Sequence, residues 1–180
     1  MKNKDIISSM PGDVPADIRV YGDPVLKVKC RNVTKLDGGI KTLVDAMARS
    51  MYSNSGVGLA APQIGVAKRI IIADIGEGLF CLINPKILKM QGGKEVMAEG
   101  CLSVPGINIE IKRHTDIIVE GVTRGGEKVK MEIKGLLSRV LQHEIDHLDG
   151  ILITDRVSKK KLRAVKQELD RIEKERGAGK

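Results

Sequence analysis

Two histidines four residues apart carry the most specific chemistry in this chain. They lie in Gln142-His143-Glu144-Ile145-Asp146-His147-Leu148-Asp149-Gly150, an H-E-x-x-H pattern inside a segment of helical apolar spacing. At about 3.6 residues per turn, His143 and His147 sit one turn apart on one helix face, where both imidazoles reach a single metal ion. Glu144 is rotated by about 100° from His143, beside the metal rather than on it. That is the placement of a general base acting on a metal-activated water. The bland reading is a solvated helix bearing two surface histidines. Against it, the chain has three histidines and two of them fall in this motif.

A catalytic divalent site uses three protein ligands and leaves one position for water. The extended motif with a third histidine fails here: Gly150 fits, but Ile153 stands where the histidine belongs. Cys30, Cys81, Cys101, His114 and a carboxylate remain as candidates. Cys81 lies in the apolar run 79–83 and reads as a core thiol. Cys30 follows Lys27-Val28-Lys29 and reads as peripheral. Cys101, in the loop-like stretch Glu99-Gly100-Cys101-Leu102-Ser103-Val104-Pro105-Gly106, is favoured, although spacing alone suits a buried structural thiol equally.

The elements that must position these residues follow from periodicity. Ile40, Leu43, Val44, Met47 and Met51 predict an amphipathic helix over 40–52. The apolar runs 70–75 and 79–83 flank Gly76-Glu77-Gly78 and predict a hairpin. Asn84-Pro85 predicts a turn, with a strand resuming near Ile87. Strands over 115–122 and 128–133 join through Arg124-Gly125-Gly126-Glu127. Leu136, Leu137, Val140, Leu141, Ile145 and Leu148 return to helical spacing, and Gly150 marks the stop. The expected fold is α+β, with antiparallel strands packed around a central helix carrying H-E-x-x-H and a C-terminal helix beyond.

The 180 residues suit one domain with a loose arm over 1–17, a body over 18–158 and a basic tail over 159–180. The net charge of +8 is concentrated: residues 158–180 hold nine basic and four acidic side chains, leaving only +3 on the rest. The body is therefore not a nucleic-acid-binding domain, and no sequence-specific DNA partner is expected. Tyr21, Tyr52 and Phe80 are the only aromatics, too few for a base-stacking platform. Three cysteines without C-x-x-C spacing argue against a disulfide framework and for a reducing compartment. No apolar run approaches the roughly 18 residues of a membrane helix. Lys2 and Lys4 are not followed by an apolar block, so the cytoplasm is the expected address.

Three blocks together resemble the peptide deformylase family: Gly56-Val57-Gly58-Leu59-Ala60-Ala61-Pro62-Gln63, Glu99-Gly100-Cys101-Leu102-Ser103, and the H-E-x-x-H block from Gln142 to Gly150. Tyr21-Gly22-Asp23-Pro24-Val25-Leu26 is similar to that family's opening segment, so the resemblance spans residues 18–158. It implies hydrolytic removal of the N-formyl group from the formylmethionine of newly synthesised proteins. It implies Cys101, His143 and His147 as metal ligands, with Fe(2+) typical and zinc, nickel or cobalt as substitutes. Glu144 is then the general base, and Gln63 and the backbone N–H of Leu102 are donors to the oxyanion. Gly58 and Gly100 are expected to let an extended peptide pair closely with the backbone. Val57, Leu136 and, less directly, Val140 are expected to line the methionine pocket. Asn108 stands near a position where many relatives have arginine, and Arg113-His114 replaces a common Arg-Pro; both touch peptide contacts and strand geometry. The partners implied are N-formylmethionyl nascent peptides, with ribosomal contact through the basic tail as a further expectation. Two rivals are a metallopeptidase with another third ligand, and a ribosome-binding module without turnover. The second should have lost Cys101, His143, His147, Glu144 or Gln63, and all five are present.

Overall fold

A computed structural model describes residues 16–178, so the expected arm over 1–17 lies, but for its last two positions, outside the described residues. Helix α1 (Gly38–Ser53) begins where the Asp37 carboxylate accepts the Ile40 N–H at 3.2 Å, a cap worth about 1 kcal/mol. Its stripe of Ile40, Val44, Met47 and Met51 is buried against Leu59, Ile70 and Ile72. Those residues belong to the first strands of one antiparallel sheet: β1 (Gly58–Ala60), β2 (Ile70–Ala73), β3 (Phe80–Cys101), β4 (Val104–Val122) and β5 (Lys128–Lys134), adjacent in chain order.

The two expected hairpins form. Between β2 and β3, Asp74 Oδ1 accepts the N–H groups of Gly76 and Gly78 at 2.8 and 3.2 Å. Between β4 and β5, Thr123 and Glu127 close the turn through a 2.8 Å backbone bond. The turn expected at Asn84-Pro85 does not form. Asn84 adopts a φ of 52° and the β3–β4 register slips between Ile83 and Lys86. The result is a bulge inside a continuous strand. The Asn84 amide holds the bulge by bonding Val33 N–H and C=O, both at 2.8 Å. The stretch 99–106, expected to be a loop, is the end of β3, a tight turn and the start of β4, with Cys101 opposite Val104. Four register shifts bend this long ribbon, so the sheet curls instead of lying flat.

Helix α2 (Gly135–Leu148) fills the hollow and touches β1, β2, β4 and β5. Every residue from Ser138 to Leu148 is buried. This is the expected central helix. Gly150 ends the segment with a φ of 74°, and a Cβ there would lie 2.7 Å from the Lys27 carbonyl oxygen, so only glycine lets the two backbones meet.

The tail departs from the single expected helix. It is broken at Val165 into α3 (Lys159–Ala164) and α4 (Lys166–Ala178). The break allows Leu162 and Val165, then Leu169 and Ile172, to join one apolar cluster with Ile107, Ile109 and Ile111 of β4. Among the described residues no helix is long and apolar enough to cross a membrane.

Candidate active site

A helix buried on all sides must partner its polar side chains internally. On α2 that demand falls on Arg139, Gln142, His143, Glu144, Asp146 and His147. His143 and His147 face the end of β3, where the turn to β4 presents Cys101. Their donor atoms and the cysteine sulfur all lie within 4.8 Å of one another. Cys101 Sγ is 3.2 Å from His147 Nε2, and the two imidazole rings meet edge-on at 5.0 Å. Cys30 and Cys81 lie elsewhere: Cys30 donates its backbone N–H to Leu148, and Cys81 pairs with Ile72 across β2 and β3. His114 is also away from the cluster, bonding through its backbone to the side chain of Gln142.

Burial, reinforced by the charges of His143 and Arg113, holds His147 well below its usual proton affinity, so it presents a neutral ring. Burial pulls His143 the same way, but its bonds to Cys101 and Glu99 prevail and hold it well above the usual value. One cysteine sulfur with two imidazoles is a donor set for a divalent transition metal. His143 turns Nδ1 to Glu99 Oε2 at 3.0 Å, which leaves Nε2 available to ligate a metal ion. His147 Nδ1 is buried without a hydrogen-bond partner among the described residues.

Behind the cluster lies a buried ionic network. Arg113 grips Glu99 with two bonds of 2.7 and 2.9 Å and reaches Asp146 at 2.8 Å. Arg139 donates to Glu99 at 2.7 Å and to the carbonyls of Ile111 and Glu95 at 3.1 and 2.8 Å. Arg156 closes on Asp146 from the outer side. Burial would raise the Glu99 carboxyl, but the bonds from His143 and Arg113 outweigh it and hold the group at about 2. Glu99, Arg113, Arg139, Asp146 and Arg156 were not among the expected site residues. Part of the signal was present: Arg139, His143 and Asp146 recur at helical spacing, and Glu99 is two residues from Cys101 on one strand face.

A cavity of about 600 Å³ opens beside the cluster, lined by Val57, Gly58, Gln63, Gly100, Leu102 and Leu136 among others. Glu144 lies in its wall, buried, with no hydrogen-bond partner for Oε2 among the described residues. Burial pushes its carboxyl up to about 7, a proton affinity suited to taking and returning a proton near neutrality. Gln63 is fixed at both ends. Its Oε1 accepts the Ala60 N–H at 2.8 Å, while Nε2 donates to Ser103 Oγ at 3.2 Å and lies 3.7 Å from Cys101 Sγ. The amide nitrogen therefore faces the Cys-His-His cluster. Leu102 follows Cys101 in the turn. Val57 and Leu136 are half exposed at the cavity's rim, whereas Val140 is buried in its wall. Asn108 lies over Gly100, its Oδ1 2.9 Å from where a Cβ on that glycine would stand. His114 spends the N–H that proline would lack on Gln142 Oε1, tying β4 to α2 beside His143.

Fold and site define a class: a hydrolase with a Cys-His-His donor set and a buried glutamate on an H-E-x-x-H helix. A sequence profile of polypeptide deformylases matches residues 15–163. The peptide deformylase of Acetivibrio thermocellus is 52% identical over 140 residues, 78% of this chain and 82% of that protein. The crystal structure of peptide deformylase from Thermotoga maritima superposes with a TM-score of 0.79 at 46% identity, covering 81% of this chain and 99% of that one. The structure of the enzyme from Legionella pneumophila gives a TM-score of 0.84 at 34% identity, covering 91% and 98%. The chain belongs to the peptide deformylase family, metal-dependent hydrolases that remove the N-formyl group from nascent peptides.

Proposed function

We propose that Cys101, His143 and His147 hold Fe(2+), with zinc, nickel or cobalt as substitutes, and that Glu144 is the proton carrier of the deformylation. The observation that carries this reading is the meeting of three potential metal-ligating donors within 4.8 Å beside a buried glutamate whose Oε2 has no hydrogen-bond partner among the described residues. A divalent metal there supplies Lewis acidity, making water acidic near neutral pH and polarising a carbonyl. Glu144 takes the proton of the attacking water at its unpartnered Oε2. The water oxygen bonds the formyl carbon, the C–N bond of the formamide breaks, and Glu144 returns the proton to the departing amine; the second proton of the water also passes to the amine, leaving formate and a free, protonated N-terminus. Gln63 Nε2 and the Leu102 N–H donate to the developing oxyanion. Donors of this kind are worth about 3–4 kcal/mol each. Glu99, braced by Arg113 and Arg139, holds His143 in the ligating orientation. The methionine side chain enters the cavity among Val57, Leu136 and Val140, and the peptide backbone pairs along Gly58 and Gly100.

The exposed Lys159, Lys160, Arg163 and Lys174 of the tail support a contact with ribosomal RNA, and with it a reaction in the cytoplasm where the nascent chain emerges. The test is formate release from an N-formyl-methionyl peptide by protein purified anaerobically and analysed for metal, beside Glu144→Ala. The expected result is turnover by the parent and a loss of about 10²–10⁴-fold in the variant at equal metal content. A fully metallated parent that releases no formate overturns the reading.

A further inference from the structure

Gly58 lies in β1 opposite Ala73, buried, and its φ is outside the left-handed region. Its backbone would accept any residue, so conformation does not explain the glycine. Space does. A Cβ there would lie 2.5 Å from Glu144 Oε1, 3.0 Å from Glu144 Cδ and 2.8 Å from Val140 Cγ1. We infer that Gly58 is the positioning residue for Glu144: the side chain it lacks is the slot in which the carboxylate sits. Glu144 Oε2 has no hydrogen-bond partner among the described residues, so shape rather than bonding sets that end of the group. One wall of the slot is the bare Cα of Gly58. An added methyl brings Oε1 to 2.5 Å where ordinary contact begins at 3.4 Å, so the carboxylate must retreat by close to 1 Å. For a proton carrier a misplacement of about 1 Å is enough to cost about 10²-fold. This differs from a role for Gly58 in admitting the peptide, because alanine keeps the N–H and C=O that would pair with substrate.

The inference rests on the assignment of Glu144 as proton carrier, and the experiment separates the two. Kinetics with a formylated peptide are compared for the parent, Gly58→Ala, Glu144→Asp, the Gly58→Ala/Glu144→Asp double variant and the Gly58→Ala/Val140→Ala double variant. Gly58→Ala is expected to lower kcat by about 10²-fold with KM and metal content nearly unchanged. In the Glu144→Asp background, where the shorter side chain vacates the slot, the same substitution is expected to cost only a few-fold more. Adding Val140→Ala leaves the loss in place. A loss that resides in KM, an equal loss in both Glu144 backgrounds, or recovery through Val140→Ala each overturns the inference. If Gly58→Ala does not fold, a folded Gly58→Ala/Glu144→Asp protein supports the slot, and a double variant that also fails overturns it. If the parent releases no formate, the reaction is misassigned. The slot is then decided by crystal structures of parent and Gly58→Ala: a displaced Glu144 carboxylate upholds it, and an unmoved one sinks it.

Discussion

Gln63 uses the two ends of one amide for different purposes. Its oxygen accepts the Ala60 N–H, and that bond decides which way the group points. Its nitrogen is thereby turned toward Ser103 and Cys101. Replacing it with methionine, of similar length, should lower kcat by about 10²–10³-fold through loss of the proposed oxyanion donor. It should also cost about 1–3 kcal/mol of stability, because the buried Ala60 N–H and Ser103 hydroxyl lose a partner. Steady-state kinetics and urea unfolding on one preparation separate the two effects, and full activity with only the stability loss would reduce Gln63 to a loop anchor. At this scale the sequence was most legible where spacing alone imposes geometry. His143 and His147 had to share a face once the helix formed. Cys101 was favoured by its surroundings, but its approach to His147 depends on the turn to Val104, a contact 46 residues away in sequence. Gly58 was legible as a glycine that mattered. The group that occupies its empty side was not, because Val140 and Glu144 arrive from a distant helix.

The junction between the β3–β4 ribbon and α2 is held by charge. Five ionised side chains, Glu99, Arg113, Arg139, Asp146 and Arg156, converge where strand and helix meet. Removing the Glu99 carboxylate should be severe, since two buried guanidiniums would lose their common partner; Glu99→Ala is expected to cost about 3–5 kcal/mol. The pH dependence follows from the same group. Glu99 titrates at about 2 in the folded protein, below the ordinary carboxylate range of the unfolded chain. Its stabilising contribution is therefore complete above the unfolded value, about 4.3, and is lost as pH falls toward 2. Urea midpoints measured between pH 7 and pH 2.5 should fall less steeply for Glu99→Gln than for the parent; equal slopes would show that acid sensitivity comes from elsewhere. Elements with one clear period, such as α1 and α2, were legible from the sequence because burial on one face writes itself into residue spacing. The bulge at Asn84 was misread because Asn-Pro is turn chemistry, and only the distant Val33 backbone converts it into a bend within a strand. The ionic network was illegible for a related reason: its members lie on two strands, a helix and the segment after it.

At the scale of the molecule, the described residues form three apolar clusters joined by the curled sheet, with the candidate site between the ribbon and α2. The tail covers the third cluster. Leu169 and Ile172 are only 3% and 4% exposed and rest with Ile107, Ile109 and Ile111 of β4, the strand that also carries Arg113 into the ionic network. Deleting residues 159–180 would therefore strip a face of the domain as well as remove charge, and a loss of ribosome binding in that deletion would be ambiguous. Substitution of exposed side chains is cleaner. Lys159, Lys160 and Lys174 are exposed, and none belongs to the apolar cluster under the tail. Changing these three to glutamate should leave formate release from a free peptide unaltered, since none lines the cavity. If the tail meets ribosomal RNA, the same change should weaken ribosome binding and flatten its dependence on salt. Each lost phosphate contact removes about 0.7–0.9 from the slope of log K against log salt. Isoleucine 172 supplies the control: Ile172→Asp puts a charge into the third cluster and should lower the unfolding temperature by loosening α4, while leaving every basic side chain in place. Binding that follows the lysines and ignores the docking would make the tail a ribosome contact. Binding that ignores both would leave it as cover for β4 alone.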